Sequence, residues 1–214
     1  MDYYKEREQI CRFGNLLLEK GLVARTWGNL SIKVSDDFFL ITPSGRSYEE
    51  LDIDEIPLVN LNDLTYRGDL KPSSEKELHS RIYRQRPEIK AVIHTHQPAA
   101  SVVASARTNI PVENKKWQEQ AGPVIPCVTY AMPTTKRLAK AAEKYVIRYR
   151  QNMFLLSNHG ALCLGTDLNS AFEHALLLEQ IAEDFVLKQY RKMSGNQNGN
   201  LEDMLTYYKQ IHQS

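Results

Sequence analysis

Two short apolar runs, each followed by or ending in histidine, limit what this chain can fold into more than any other feature. Residues 90–95 read KAVIHT, and Met153–Leu156 read MFLL and continue into SNHGALCLG. Runs of this length between turn residues are buried strands of a sheet. Around them the pattern changes period. Residues 3–20 carry Ile10, Phe13, Leu17 and Leu18 at helical spacing, and Gly21 follows where a helix can end at positive φ without steric cost. TWGNLSIKV and FFLIT flank Ser35-Asp36-Asp37 as two strands about a turn. SSEKELHSRIYRQR after Pro72 predicts a helix that Ser73 or Ser74 can cap and that ends before Pro87. Further helices are predicted at 98–106, 134–150 and 168–193, with a short strand at 127–130. SGNQNGN then breaks the long helix, and LEDMLTYYKQI forms a last short one. This irregular alternation after an early hairpin predicts an α/β fold, one domain over residues 1–214, with a mixed sheet covered by helices.

Composition narrows the partners. Lysine and arginine total 27 against 26 aspartates and glutamates, a formal charge of +1 in 214 residues. No global surplus draws the chain to nucleic acid or to an anionic membrane, so an anionic ligand must be caught by a local site. Cys11, Cys127 and Cys163 are far apart and form no CxxC pair, which fits a reducing compartment. The start, MDYYKEREQICRF, is charged and lacks the apolar core of a signal peptide. No run approaches the roughly 18 apolar residues that cross a bilayer. A soluble, cytoplasmic protein is the expectation.

His94-Thr95-His96 is the sharpest local motif. Residues i and i+2 of a strand share a face, so both imidazoles can reach one ion. An HxH pair alone also occurs as an ordinary hydrogen-bonded pair. A third histidine, His159, after the second apolar strand adds weight, because three protein ligands with an open position make a catalytic zinc site. His79, His174 and His212 stand in helical contexts without such spacing and are read as surface or packing residues. Three small polar turns accompany the histidines: Thr26-Trp27-Gly28-Asn29, Thr42-Pro43-Ser44-Gly45 and Lys71-Pro72-Ser73-Ser74-Glu75. Each alone is an ordinary turn or helix cap. Brought together, their hydroxyls and N–H groups would cradle a phosphate.

The ordered set of Gly28-Asn29 with Ser31, TPSG at 42–45, KPSSE at 71–75, HTH at 94–96 and NHG at 158–160 resembles the class II aldolase/adducin family, most closely its L-fuculose-1-phosphate aldolases. The resemblance runs from the first helix to about Met193. It implies a mixed, mostly antiparallel central sheet flanked by helices. It also implies a catalytic Zn2+ among Glu75, His94, His96 and His159, with Mn2+ or Co2+ acceptable to such imidazoles. The substrate phosphate would meet Gly28, Asn29, Ser44, Gly45, Ser73 and Ser74. The related ribulose-phosphate 4-epimerases carry aspartate where this chain has Glu75, which favours the aldolase side.

The implied reaction, within fucose degradation, cleaves a ketose 1-phosphate to dihydroxyacetone phosphate and a small aldehyde such as L-lactaldehyde. The ion stabilises an enediolate and Glu75 carries the proton. Such aldolases place a tyrosine for the second acid/base after an IP dipeptide, whereas Ile110-Pro111 here leads to Lys115, Lys116 and Trp117. Tyr130 is kept, but Pro133 and Thr134 stand where those aldolases tend to have phenylalanine and glycine. Tyr207 and Tyr208, reaching a neighbouring subunit of a homotetramer, are the preferred source of the missing group, ahead of Lys115. A methylthioribulose-1-phosphate dehydratase on the same scaffold is the alternative chemistry. A non-catalytic adducin-like module is the alternative class, disfavoured by the three histidines.

Overall fold

The apolar runs do form interior strands of a sheet. The computed structural model describes residues 2–212, with side chains through residue 206. Its strands are β1 (Asn29–Lys33), β2 (Phe38–Ile41), β3 (Leu58–Asn60), β4 (Tyr66–Arg67), β5 (Ala91–Thr95), β6 (Ile110–Pro111), β7 (Val124–Ile125), β8 (Cys127–Val128), β9 (Met153–Leu156) and β10 (Gly160–Gly165). Among the described residues the main sheet has eight strands in the order β4-β3-β2-β1-β5-β10-β9-β8. Every neighbouring pair is antiparallel except β8 and β9, so the sheet is mixed and mostly antiparallel, as expected. β6 and β7 pair separately.

The helices are α1 (Tyr4–Glu19), α2 (Lys76–Gln85), α3 (Pro98–Ser105), α4 (Lys115–Ala121), α5 (Lys136–Tyr149), α6 (Leu168–Ser194) and α7 (Leu201–His212). They cover both faces of the sheet. Side chains alternate along each strand, so Leu30, Ile93 and Cys163 join a core with Phe13 and Leu17 of α1 and Phe172 and Leu178 of α6. Ile41, Val92 and Leu162 point the other way, into a core with Leu78 and Ile82 of α2 and Leu138 and Val146 of α5. Leu162 is fully buried, and truncating such a leucine to alanine costs about 2–5 kcal/mol. Among the described residues no helix is long and apolar enough to cross a membrane.

Several boundaries move for physical reasons. GALCLG, read from sequence as the tail of a strand, is a strand in its own right: β10 lies between β5 and β9 and is buried throughout. α2 begins at Lys76 rather than at the serines, because residues 72–73 are held extended against the neighbouring turn. There the Ser73 N–H donates to the Thr42 carbonyl (3.0 Å), and the Ser44 N–H donates to the Lys71 carbonyl (2.9 Å). The Ser73 N–H is therefore engaged and not free for a ligand. Neither serine caps α2; Ser73 Oγ accepts from the Glu75 N–H at 3.2 Å. β3, β4, β6, β7 and α4 were not anticipated. The side chains of Tyr207, Tyr208 and His212 lie outside the described residues.

Candidate metal centre and active site

The three sequence-distant histidines meet because β5 is the hub of the sheet. Leu162 of β10 pairs with His94, and so does Asn29 of β1 from the other side. His159 sits in the tight β9–β10 connection, where Asn158 takes a left-handed conformation (φ 54°) that asparagine tolerates. The glycine of the NHG motif is required there, since a Cβ on Gly160 would fall on the Thr95 carbonyl oxygen. Gly28 is constrained twice: its φ is 82°, and an added Cβ would lie 2.6 Å from the His94 carbonyl oxygen.

The ring centroids of His94, His96 and His159 are 4.5–5.1 Å apart, and one ligand atom from each lies within 4.8 Å of the others. His94 Nδ1 is 2.8 Å from the Ala161 carbonyl, which takes its proton and leaves Nε2 as a lone pair. That Nε2 faces His96 Nε2 at 3.0 Å and Glu75 Oε2 at 3.3 Å. Glu75 Oε1 is 3.6 Å from His159 Nε2. Glu75 reaches the histidines from the start of α2, where the Asn29 amide donates to its Oε2 at 2.9 Å.

Charge follows from burial. Desolvation lowers the pKa of all three imidazoles, His159 to about 4, so they are neutral at pH 7. Burial opposes the charge on Glu75, but in acid, where the His94 and His159 rings take up protons, their charge and the Asn29 amide favour it more strongly. The carboxyl stays below its ordinary range and is ionised at neutral pH. Three neutral imidazoles and a carboxylate thus converge, with the His94 Nε2 lone pair facing the carboxylate, and Glu75 Oε1 is buried without a protein hydrogen-bond partner. A shared cation relieves that repulsion, so the set fits a divalent ion of the zinc type.

The histidines floor a cavity of about 440 Å³ whose walls carry the sequence-predicted phosphate residues Gly28, Asn29, Ser44, Gly45, Ser73 and Ser74. An isolated bridge between Pro43 and Pro72 sets the TPSG and KPSS turns side by side. Among the described residues the Gly28, Gly45 and Ser74 N–H groups of the cavity wall have no hydrogen-bond acceptor and are open to an anion. Thr26, Trp27, Pro43, Thr134 and Asn158 complete the lining and were not in the sequence-predicted site. Thr134 has φ 65°, rare for a β-branched residue, and strained positions of this kind gather at binding sites. Lys115, Lys116 and Trp117 are on α4 and, like Tyr130, do not line the cavity. His79, read from sequence as surface or packing, is fully buried beside Glu75.

Residues 8–186 match the family model described as Class II Aldolase and Adducin N-terminal domain. The chain belongs to the class II aldolase and adducin family. A 5-deoxy-D-ribulose 1-phosphate aldolase of Bacillus thuringiensis serovar kurstaki is 36% identical over 180 residues, covering 84% of this chain and 83% of the relative. A 3-oxo-tetronate 4-phosphate decarboxylase of Pectobacterium atrosepticum is 30% identical over 199 residues, 88% of this chain and 87% of the relative. Among solved structures, an L-fuculose 1-phosphate aldolase superposes with a TM-score of 0.80 at 28% identity, covering 97% of this chain and 96% of that one. With the histidines and carboxylate intact, this member of the family is an enzyme, a class II, metal-dependent aldehyde-lyase.

Proposed function

We propose that the chain cleaves a ketose 1-phosphate resembling L-fuculose 1-phosphate between C3 and C4, giving dihydroxyacetone phosphate and a small aldehyde such as L-lactaldehyde. The observation that carries this reading is the two-ended cavity, with Glu75 and three neutral imidazoles at its floor and the two serine-bearing turns on its wall.

In this reading Ser44, Ser73, Ser74 and Asn29, with the N–H groups around Gly28 and Gly45, hold the phosphate. They fix the distance from phosphorus to the bond that breaks. His94, His96 and His159 hold a divalent ion, zinc in the first instance, with Glu75 adjacent. When bound, the ion supplies Lewis-acid stabilisation of negative charge on the substrate's oxygens. A base takes the C4 hydroxyl proton and passes it to solvent, the C3–C4 electron pair moves onto the C2–C3 unit, and Glu75, ionised at rest, takes up a proton from solvent and delivers it to C3. The proton lost at C4 balances the one gained at C3. That base is assigned to Tyr207 or Tyr208 of a neighbouring copy in a homotetramer of single-domain, cytoplasmic chains.

The test is a retro-aldol assay across ketose 1-phosphates of differing stereochemistry and tail length, coupled to detection of dihydroxyacetone phosphate. The decarboxylase relative supports a second reading, loss of carbon dioxide from a phosphorylated 3-oxo acid. Release of carbon dioxide from such an acid, with no aldehyde from any ketose 1-phosphate, would replace the first reading by the second.

A further inference from the structure

Beneath the cavity floor, β1 and α2 are joined by two buried contacts in register. Two residues of a strand advance about 6.7 Å and four residues of a helix about 6 Å, so positions i and i+2 of β1 can meet i and i+4 of α2. Asn29 meets Glu75, and Ser31 meets His79, with Ser31 Oγ 2.7 Å from His79 Nδ1. One turn further on, the Tyr83 hydroxyl meets the same Ser31 Oγ at 2.6 Å. Ser31 and His79 are fully buried and Tyr83 is 1% exposed. The far ring nitrogen, His79 Nε2, is buried with no protein hydrogen-bond partner, as is Glu75 Oε1.

The three groups can share their hydrogens in one direction, Tyr83 to Ser31 to His79 Nδ1, which leaves the imidazole proton on Nε2. The Glu75 carboxyl group one helical turn away favours that order, because its unpartnered Oε1 offers a negative oxygen dipole that suits an N–H and not a lone pair. We propose that His79 is a positioning residue for Glu75: Ser31 and Tyr83 hold it as the neutral Nε2–H tautomer, and this N–H stabilises the Glu75 carboxylate from beneath while Asn29 holds it from β1. The kinetic consequence rests on Glu75 being the proton carrier; the tautomer does not.

Two measurements test the inference. Nitrogen-15 imidazole spectra of the metal-free protein, assigned by loss of signals in His79→Gln, should show His79 protonated at Nε2. Ser31→Ala and Tyr83→Phe should shift it toward a mixture of tautomers. In steady-state kinetics of the zinc-loaded enzyme, His79→Leu should lower kcat about tenfold or more with KM and zinc content near wild type. His79→Gln, whose amide can donate from a similar place, should recover most of the loss. A wild-type His79 protonated at Nδ1 overturns the proposal, as do equal losses of kcat in the Gln and Leu variants. If His79→Leu fails to fold, the tautomer in Tyr83→Phe decides: an Nε2–H signal unchanged from wild type sinks the relay. Absence of cleavage with every ketose 1-phosphate would count against the proposed reaction and leave the tautomer result standing.

Discussion

At Glu75 the pull of its neighbours outweighs burial, and the result is a carboxylate charged at neutral pH in a nearly dry site. Glu75→Gln keeps shape and removes the group proposed to carry the proton. It should fold, retain metal through the three histidines and lose on the order of 10²-fold in kcat. Metal analysis beside steady-state rates checks this, and near-normal turnover in the loaded variant contradicts it. Thr134 carries a different kind of tension, a branched side chain at φ 65° on the cavity wall. Thr134→Gly should raise stability by about 1 kcal/mol, the left-handed penalty being partly offset by a freer unfolded chain. A denaturation midpoint that does not rise would refute it. Glu75 and the three histidines were readable because their motifs are local. His79 was not: its partners Ser31 and Tyr83 are recognisable only once β1 and α2 are laid side by side.

The elements explain both what was legible and what was hidden. β5 and β9 announce themselves as apolar runs because both their faces are buried, whereas β3 and β4 are three and two residues long and offer no period to read. The start of α2 shifted because a tertiary link, Pro43 to Pro72, outcompetes local capping. That same link presents Ser73 and Ser74 beside Ser44, so the paired Ser73→Ala, Ser74→Ala variant should raise KM for the phosphorylated substrate about tenfold with metal still bound. An unchanged KM would count against the cradle. The three clustered histidines come from β5, the residue just beyond it and the β9–β10 turn, and burial depresses the pKa of all three. His159 falls from 6.5 to about 4, so between those values the unfolded chain binds the proton and the folded chain does not. The stability of the metal-free protein should therefore fall as pH drops from about 6.5 toward 4, and zinc occupancy should fall with it. Glu75 remains ionised across this window and does not reverse the sign. Chemical denaturation of the metal-free protein at stepped pH reads the effect, and a flat profile would show that the imidazoles titrate normally.

At the scale of the whole molecule, one chain supplies the floor and walls of the cavity but, among its described residues, no phenol or amine in the lining to take the C4 proton. Lys115 is committed to α4, away from the cavity, and Tyr130 lies under the Arg107 guanidinium, 5.2 Å from ring centroid to Cζ, outside the lining. The proposed function answers this with a site assembled from two copies, Glu75 from one chain and Tyr207 or Tyr208 from the next. Rings of identical subunits repeat such a border at every interface. The consequence is complementation. A Glu75→Gln chain and a Tyr207→Phe, Tyr208→Phe chain should each be nearly inactive alone. Unfolded together and refolded as mixed rings, each border then draws its Glu75 and its tyrosines from independently chosen chains. About one quarter of the sites should regain both groups, and activity should recover in proportion. Light scattering of the same samples should give a mass several times the 24.6 kDa of the chain. Mixed refolding that restores no activity, although both variants enter the same oligomers, would place the second acid/base within the chain that carries Glu75. A fully active monomer would remove the shared site altogether.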